Sequence, residues 1–202
     1  MSAFPATHSR QGRWELRDQL LATNDEFITQ IPKVELHIHL EGCLTPELKW
    51  KLAKRNGIKI QMGKSRRELQ SVEELEQAYR DVISSAQLPL YAHCPPSEVP
   101  ATFFEAYYSG CEVLRTREDF FDVAFRHFER AASMNVRYCE MFFDPQSHTS
   151  RGVSWRDMMD GLREAQLKAA KELNVRMSGV CTSGTKLKSR IGQIWMDHVL
   201  PP

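Results

Sequence analysis

The stretch PKVELHIHLEG, residues 32–42, decides the fold class of this sequence. Apolar and polar residues alternate from Val34 to Leu40, which predicts a strand, and Glu41-Gly42 gives that strand a place to end. Because strand side chains alternate between faces, we expect His37 and His39 to point the same way, close enough to bind one metal ion. Imidazole suits zinc better than magnesium or calcium, but two histidines are also ordinary polar positions on a strand.

Working outward from this strand, helical and strand patterns alternate along the chain. Helix signals include Thr45-Pro46-Glu47 and the capping pairs Ser71/Glu74 and Thr116/Asp119. Two further strands are predicted in VRYCEMFF (136–143) and VRMSGV (175–180), and DPQSHTSRG (144–152) is predicted to be a loop. The order favours a parallel sheet covered by helices, either doubly wound or a (β/α) barrel. We expect the aromatic residues of the helices to lie in the core.

The bulk composition narrows the class of protein. A chain of 202 residues with 42% hydrophobic residues and a net charge of +1 is typical of one globular domain. The balanced charge argues against nucleic acid or anionic lipid as a partner. Five widely spaced cysteines favour a reducing compartment, the cytoplasm or the nucleus, and the absence of a signal segment or long apolar run argues against the membrane.

Two motifs identify a family resemblance. The run PKVELHIHLEGCLTPEL (32–48) resembles the first strand and loop of the adenosine/adenine deaminase family, and EMFFDPQSHTSRGV (140–153) is similar to the third-strand region of its adenine deaminase branch, the fungal type. The resemblance covers about residues 28–178. It implies a (β/α)₈ TIM barrel, a zinc ion with His37 and His39 as two of its ligands, and a place for Glu41 in the substrate pocket.

The chemistry that the resemblance implies is hydrolysis of a purine base. Zinc lowers the pKa of water, hydroxide attacks C6 of adenine, and hypoxanthine and ammonia result, as in purine salvage. The family takes its proton-donating glutamate from a later strand, so no catalytic residue is identified in this chain. The H-x-E/P-C-x-x-C pattern of cytidine deaminases and the H-E-x-x-H pattern of zinc proteases are absent.

Four other residues attract attention. Asp144 and His148 follow the strand 136–143 and either contact the substrate or stabilise a turn. His93 lies in the proline-rich segment 87–100 and is predicted to be on a surface loop, and His127 on a helix is predicted to be packed or solvated. Glu41 is longer than the aspartate of adenosine-specific relatives, so we hypothesise that it fills space that a ribose would need.

The sequence also departs from the family pattern. A (β/α)₈ barrel needs about 250 residues, and only three convincing strands precede Pro202, which predicts a barrel truncated after about three β/α units. We predict a flexible lead-in at 1–27, a partial barrel at 28–178 with an insert at 87–100, and a divergent tail at 179–202. The other family ligands have no counterpart, so we expect the single zinc to be weakly held or absent in this chain.

Three alternatives to an adenine deaminase stay open. The substrate could be adenosine or a related nucleoside, the chain could be a catalytically inactive deaminase-like protein, or His37 and His39 could belong to another barrel metallohydrolase. The expected partner in the leading interpretation is a small-molecule purine. The sequence specifies no oligomeric state.

Overall fold

The chain folds around a small parallel sheet. The structure, a computed structural model, describes residues 25–63, 66–85 and 102–181. Its strands are β1 (Lys33–His39), β2 (Gln61–Met62), β3 (Arg67–Glu68), β4 (Val136–Phe143) and β5 (Arg176–Cys181). Strands β1, β4 and β5 form a parallel sheet in the order β1-β4-β5, and β2 pairs with β3 in antiparallel fashion. The parallel sheet predicted from the sequence is confirmed.

Seven α-helices and one 3₁₀ turn are seen in the described ranges. They are α1 (Glu26–Gln30), the 3₁₀ turn (Leu40–Cys43), α2 (Pro46–Arg55), α3 (Val72–Ser85), α4 (Phe103–Val113), α5 (Arg117–Ser133), α6 (Pro145–Thr149) and α7 (Trp155–Glu172). Among these helices none is both long enough and apolar enough to cross a membrane. The predicted insert at 87–100, most of the lead-in and most of the tail lie outside the described residues.

The helices begin where their capping residues predict. The hydroxyl of Thr45 accepts a hydrogen bond from the backbone N–H of Leu48, and Pro46 takes the first helical position of α2. The Ser71 hydroxyl accepts from the N–H of Glu74 at 3.2 Å, and Thr116 forms a full capping box with Asp119 at the start of α5. These contacts satisfy backbone donors that the first turn of a helix leaves unpaired, and so they fix the helix starts.

Two local predictions were wrong or incomplete. DPQSHTSRG was predicted to be a loop, but Pro145–Thr149 forms the short helix α6. Proline is compatible with the first position of a helix, because its φ is already helical and a backbone N–H at that position would have no partner within the helix. The two-residue strands β2 and β3 were not predicted, since strands of this length carry too few residues to show alternation.

The core lies between the sheet and the helices α5 and α7. Phe120 and Phe128 of α5, Met158 of α7, and Cys139 and Phe143 of β4 are buried in one hydrophobic cluster. Helices α5 and α7 approach closely at Gly161, where a Cβ atom would lie 3.1 Å from Cβ of Phe120. Val34 and Leu36 of β1, whose side chains point away from these helices, are exposed.

Candidate functional site

His37 and His39 come together at the carboxyl end of β1, as predicted. Their ring centroids lie 5.4 Å apart, and both rings contact Phe142 of the neighbouring strand, at 4.7 and 6.0 Å. Two imidazoles that share one tetrahedral zinc have centroids roughly 5 Å apart, because each Zn–N bond is about 2.0–2.1 Å long. The geometry of the pair therefore fits a shared metal ion.

The strand that carries the two histidines is irregular, and the irregularity separates them from Glu35. The register between β1 and β4 shifts between Glu35 and Ile38, and His37 has a φ of +63°, in the left-handed region. A residue other than glycine in this region costs about 1–3 kcal/mol, and such strain is concentrated at functional sites. The irregularity puts the Glu35 side chain against α5, on the opposite side of the sheet from the two histidine rings.

Glu41 is the best-fixed polar side chain of the site. It lies on the 3₁₀ turn after β1 and is only 2% exposed. Its Oε1 accepts hydrogen bonds from the backbone N–H of Asp144 and from Nε2 of His148, both at 2.9 Å. Burial raises the pKa of Glu41, but the hydrogen bonds from His148 and Asp144 outweigh it and bring the pKa below its usual value. The carboxyl group is therefore ionised at neutral pH.

His148 supports Glu41 from within the protein. It is fully buried on α6, and its Nδ1 lies 3.0 Å from Nη2 of Arg151. A guanidinium group can only donate, so we assign the ring proton to Nε2, where it is donated to Glu41. Asp144 lines a cavity with Glu41, whereas His148 is fully buried and fixes the position of the Glu41 carboxylate.

Tyr107 of α4 links two acidic residues that lie far apart in the sequence. Its hydroxyl lies 3.1 Å from Oε2 of Glu41 and 3.1 Å from Oδ2 of Asp144. Burial, followed by the negative charges of Glu41 and Asp144, raises the pKa of Tyr107, so the phenol keeps its proton. One hydroxyl proton serves two carboxylates, which leaves this group of side chains rich in hydrogen-bond acceptors.

A cavity of about 470 Å³ lies beside these groups. His39, Glu41 and Asp144 contribute polar groups, and the rest of the wall is mainly aromatic: Tyr79, Phe103, Phe104, Tyr107 and Tyr108. Phe103 and Phe104 were predicted to lie in the core, but each is 65% exposed. Their helix presents these rings to the cavity, because its small residues Ala106 and Gly110 are the ones that turn inward.

A second group of possible metal ligands in this region is already engaged in other interactions. Glu41, Cys111 and His148 have donor atoms within 4.8 Å of one another, and all three are buried. Both ring nitrogens of His148 have hydrogen-bond partners, and burial raises the pKa of the Cys111 thiol to about 12. In the described part of the chain, His37 and His39 belong to no group of three such ligands.

Neither Tyr107 nor Arg151 was predicted from the sequence to belong to the site. Tyr107 lies 66 residues from Glu41, and His148 lies 107 residues from it, so neither contact can be recognised from local spacing. The only available signal was the double tyrosine in FFEAYYSG, which has too many aromatic residues for the buried face of one short helix.

Comparisons with known proteins agree on one family. Residues 32–190 match the family model described as adenosine deaminase. Over 155 residues the chain is 39% identical to an adenine deaminase of Wolinella succinogenes, a match that covers 77% of this chain and 40% of that protein. The chain thus spans less than half the length of this relative.

Solved structures agree with this family and show its fold. An adenine deaminase from Arthrobacter aurescens superimposes with a TM-score of 0.58 at 34% identity, over 74% of this chain and 39% of that one. An amidohydrolase from Burkholderia ambifaria, determined with bound zinc, gives a TM-score of 0.62 at 20% identity, over 87% of this chain and 43% of that one, and supports the fold alone. The fold is part of a (β/α)₈ barrel, and the chain belongs to the adenosine deaminase family.

Proposed function

We propose that this protein acts on adenine, by the reaction adenine plus water to hypoxanthine plus ammonia, within purine salvage. The observation that carries the proposal is the buried, ionised Glu41, held by His148, Asp144 and Tyr107 at the polar end of an aromatic cavity beside His39. Flat aromatic walls suit a purine ring, since aromatic groups stack favourably. A cytoplasmic or nuclear location stays a prediction from the cysteine pattern.

The hydrogen-bonding character of the cavity favours a free base over a nucleoside. The carboxylates of Glu41 and Asp144 meet at the Tyr107 hydroxyl, so this end of the cavity is acidic and suits a ligand that donates an N–H group. Adenine has such a group on its five-membered ring, where adenosine carries ribose. Because three donors hold the Glu41 side chain, it cannot move aside cheaply to admit a sugar.

His37 and His39 are the residues that would hold zinc in this proposal. Their ring separation of 5.4 Å supports a shared ion. When bound, zinc supplies a Lewis acid that lowers the pKa of water for attack at C6 of the purine. His39 also lines the cavity with Glu41, so the ion and the polar end of the cavity would be adjacent.

One observation favours a second candidate function. A catalytic zinc site usually keeps three protein ligands, and the part of the chain that the structure describes offers only His37 and His39 at this place. The second candidate is therefore a purine-binding protein that does not turn its ligand over. It shares the predicted preference for adenine but not the release of ammonia.

The test of the proposal is a paired measurement of binding and turnover with the full chain. Equilibrium dialysis would compare adenine with adenosine, and ammonia release with added zinc would be followed in the same samples. We expect adenine to bind more tightly than adenosine. Ammonia release from adenine would support the deaminase, and binding without release would support the second candidate. Equal binding of adenosine and adenine would contradict both.

Shortening Glu41 tests its predicted role in substrate choice. Glu41→Asp removes one methylene group from the wall of the cavity and weakens the contacts to His148 and Asp144. We expect adenosine binding to improve relative to adenine by about tenfold or more. Glu47→Asp, the same change at an exposed position of α2, is the matched control. No gain for adenosine in the Glu41 variant would refute the space-filling role.

A further inference from the structure

A second set of metal-binding side chains lies on the other side of the sheet from His37 and His39. Glu35 of β1, Cys139 of β4 and His127 of α5 have ligand atoms that all lie within 4.8 Å of one another. Glu35 and Cys139 are register partners in the parallel sheet, so the backbone pairing itself fixes two of the three positions. The third comes from the helix that covers this face.

Two of the three ligand atoms are buried without a hydrogen-bond partner. They are Oε2 of Glu35 and Nε2 of His127, which lie 3.3 Å apart. Leaving buried polar atoms unsatisfied costs about 1–3 kcal/mol each, so such atoms require an explanation. A tetrahedral zinc ion with bonds of about 2.0–2.1 Å to nitrogen and oxygen separates these two ligands by roughly 3.3 Å. The observed separation of 3.3 Å therefore fits two ligands of one ion, and it also fits the ion pair that the two side chains form when His127 is protonated.

Metal binding depends on the protonation of two of the three ligands. A neutral imidazole is the form of histidine that binds metals. Burial lowers the pKa of His127, the negative charge of Glu35 opposes this effect, and Arg130 adds to it. Burial raises the pKa of the Cys139 thiol to about 12. Metal binding must therefore break the S–H bond, form a sulfur–metal bond and release one proton to water.

The surroundings leave a route to the site. His127 lines a cavity of about 370 Å³ together with Cys43, Arg126 and Arg130, and water in this cavity can supply a fourth ligand. The two arginines oppose a cation, so the thiolate and the Glu35 carboxylate must offset them. Cys43 is engaged elsewhere, because its thiol donates to the backbone oxygen of His39 at 3.4 Å.

We propose that Glu35, His127 and Cys139 form a second metal site that takes zinc or another thiolate-binding divalent transition metal. Mixed sulfur, nitrogen and carboxylate ligands favour zinc and cobalt over magnesium and calcium, which prefer oxygen. The site is separate from the His37–His39 pair and shares no residue with the lining of the aromatic cavity. Its role is structural, since the ion would join α5 to β1 and β4.

Cobalt binding to the full chain tests the proposal. Only a cysteine ligand gives Co²⁺ an intense thiolate charge-transfer band in the near ultraviolet. We expect this band in the unsubstituted protein, its retention in His37→Ala/His39→Ala, and its loss in Cys139→Ser. Cys111→Ser is the matched control, because Cys111 is equally buried but belongs to the group around Glu41. A band that survives Cys139→Ser, or that disappears in Cys111→Ser, would overturn the assignment.

A measurement without any substitution protects the test against misfolded variants. X-ray absorption of the unsubstituted protein loaded with zinc alone, at two equivalents, should show sulfur in the first coordination shell. Zinc bound only through nitrogen and oxygen would overturn the second site. That result would leave the adenine proposal standing, because the purine cavity shares no residue with this site.

Discussion

Lys49 offers the sharpest test of the electrostatics of this fold. It lies on α2 and is fully buried, yet both hydrogen-bond partners of its ammonium group are neutral hydroxyls, Tyr79 at 3.2 Å and Ser109 at 2.6 Å. Burial lowers the pKa of Lys49 from 10.5 to about 8. The charged form is therefore disfavoured in the folded protein. At neutral pH the lysine is still charged, so its burial lowers the stability of the fold.

The magnitude follows from the two pKa values. The difference between 10.5 unfolded and about 8 folded corresponds to roughly 3 kcal/mol. Below pH 8 both states are protonated, and the folded state bears the whole cost. Between pH 8 and 10.5 the unfolded state binds more protons, so stability rises with pH, by about 2 kcal/mol at pH 9.5. A lysine with an acidic partner has the opposite effect, because its stabilisation of the fold is lost as the pH rises.

Urea unfolding of the wild type and of Lys49→Met at pH 7 and pH 9.5 measures this effect. The variant removes the buried charge but leaves the Tyr79 hydroxyl without its partner, so we expect it to be about 1–2 kcal/mol more stable than the wild type at pH 7. The wild type should regain about 2 kcal/mol relative to the variant at pH 9.5. Lys54→Met, on the exposed side of α2, is the control and should show no such change. A difference between wild type and Lys49→Met that is the same at both pH values would refute the reasoning.

Two further predictions concern packing and a buried ion pair. Asp119→Asn weakens the contacts of a fully buried carboxylate to Arg55 and should cost about 1–3 kcal/mol near pH 7, because Arg55 is partly exposed and keeps Asp122 as a partner. Hydrogen bonds outweigh burial and lower the pKa of Asp119, so the advantage of the wild type should shrink as the pH falls below about 4, in urea unfolding at a series of pH values. Gly161→Ala should lower the stability by about 1–3 kcal/mol, because its Cβ would press on the backbone of Arg117 and Phe121. Gly42→Ala, with nothing within 4 Å of the added Cβ, is its control in thermal unfolding; equal effects of the two would contradict the packing argument.

The sequence predicted the elements whose signals are local. The Thr116/Asp119 capping box fixed the start of α5, and the alternation of residues 34–40 located β1 to within a residue. The short helix α6 was missed because Asp-Pro favours a turn in most contexts. Here the helix is favoured by the tertiary contacts of Pro145 and His148, which are both buried. Such contacts cannot be recognised from the neighbouring residues in the sequence.

The candidate site was predictable only in part. His37, His39 and Glu41 follow one another on a single strand and turn, so their proximity needs only strand geometry. Tyr107 and Arg151 reach the site from other elements, and only the folded chain brings them there. The role of the aromatic residues of α4 was predicted wrongly, because hydrophobic residues are buried far more often than they are left at the wall of an open cavity.

The irregularity in β1 has a consequence for how such motifs are recognised. In a regular strand Glu35, His37 and His39 would line one face, and E-x-H-x-H would be counted as three ligands of one ion. The register shift between Glu35 and Ile38 divides that set, so Glu35 faces α5 while the rings of His37 and His39 lie on the other side of the sheet, and the three residues belong to two separate proposed sites. Removing the irregularity would turn Glu35 toward the side of the two histidines, so the separation of the two proposed sites depends on it.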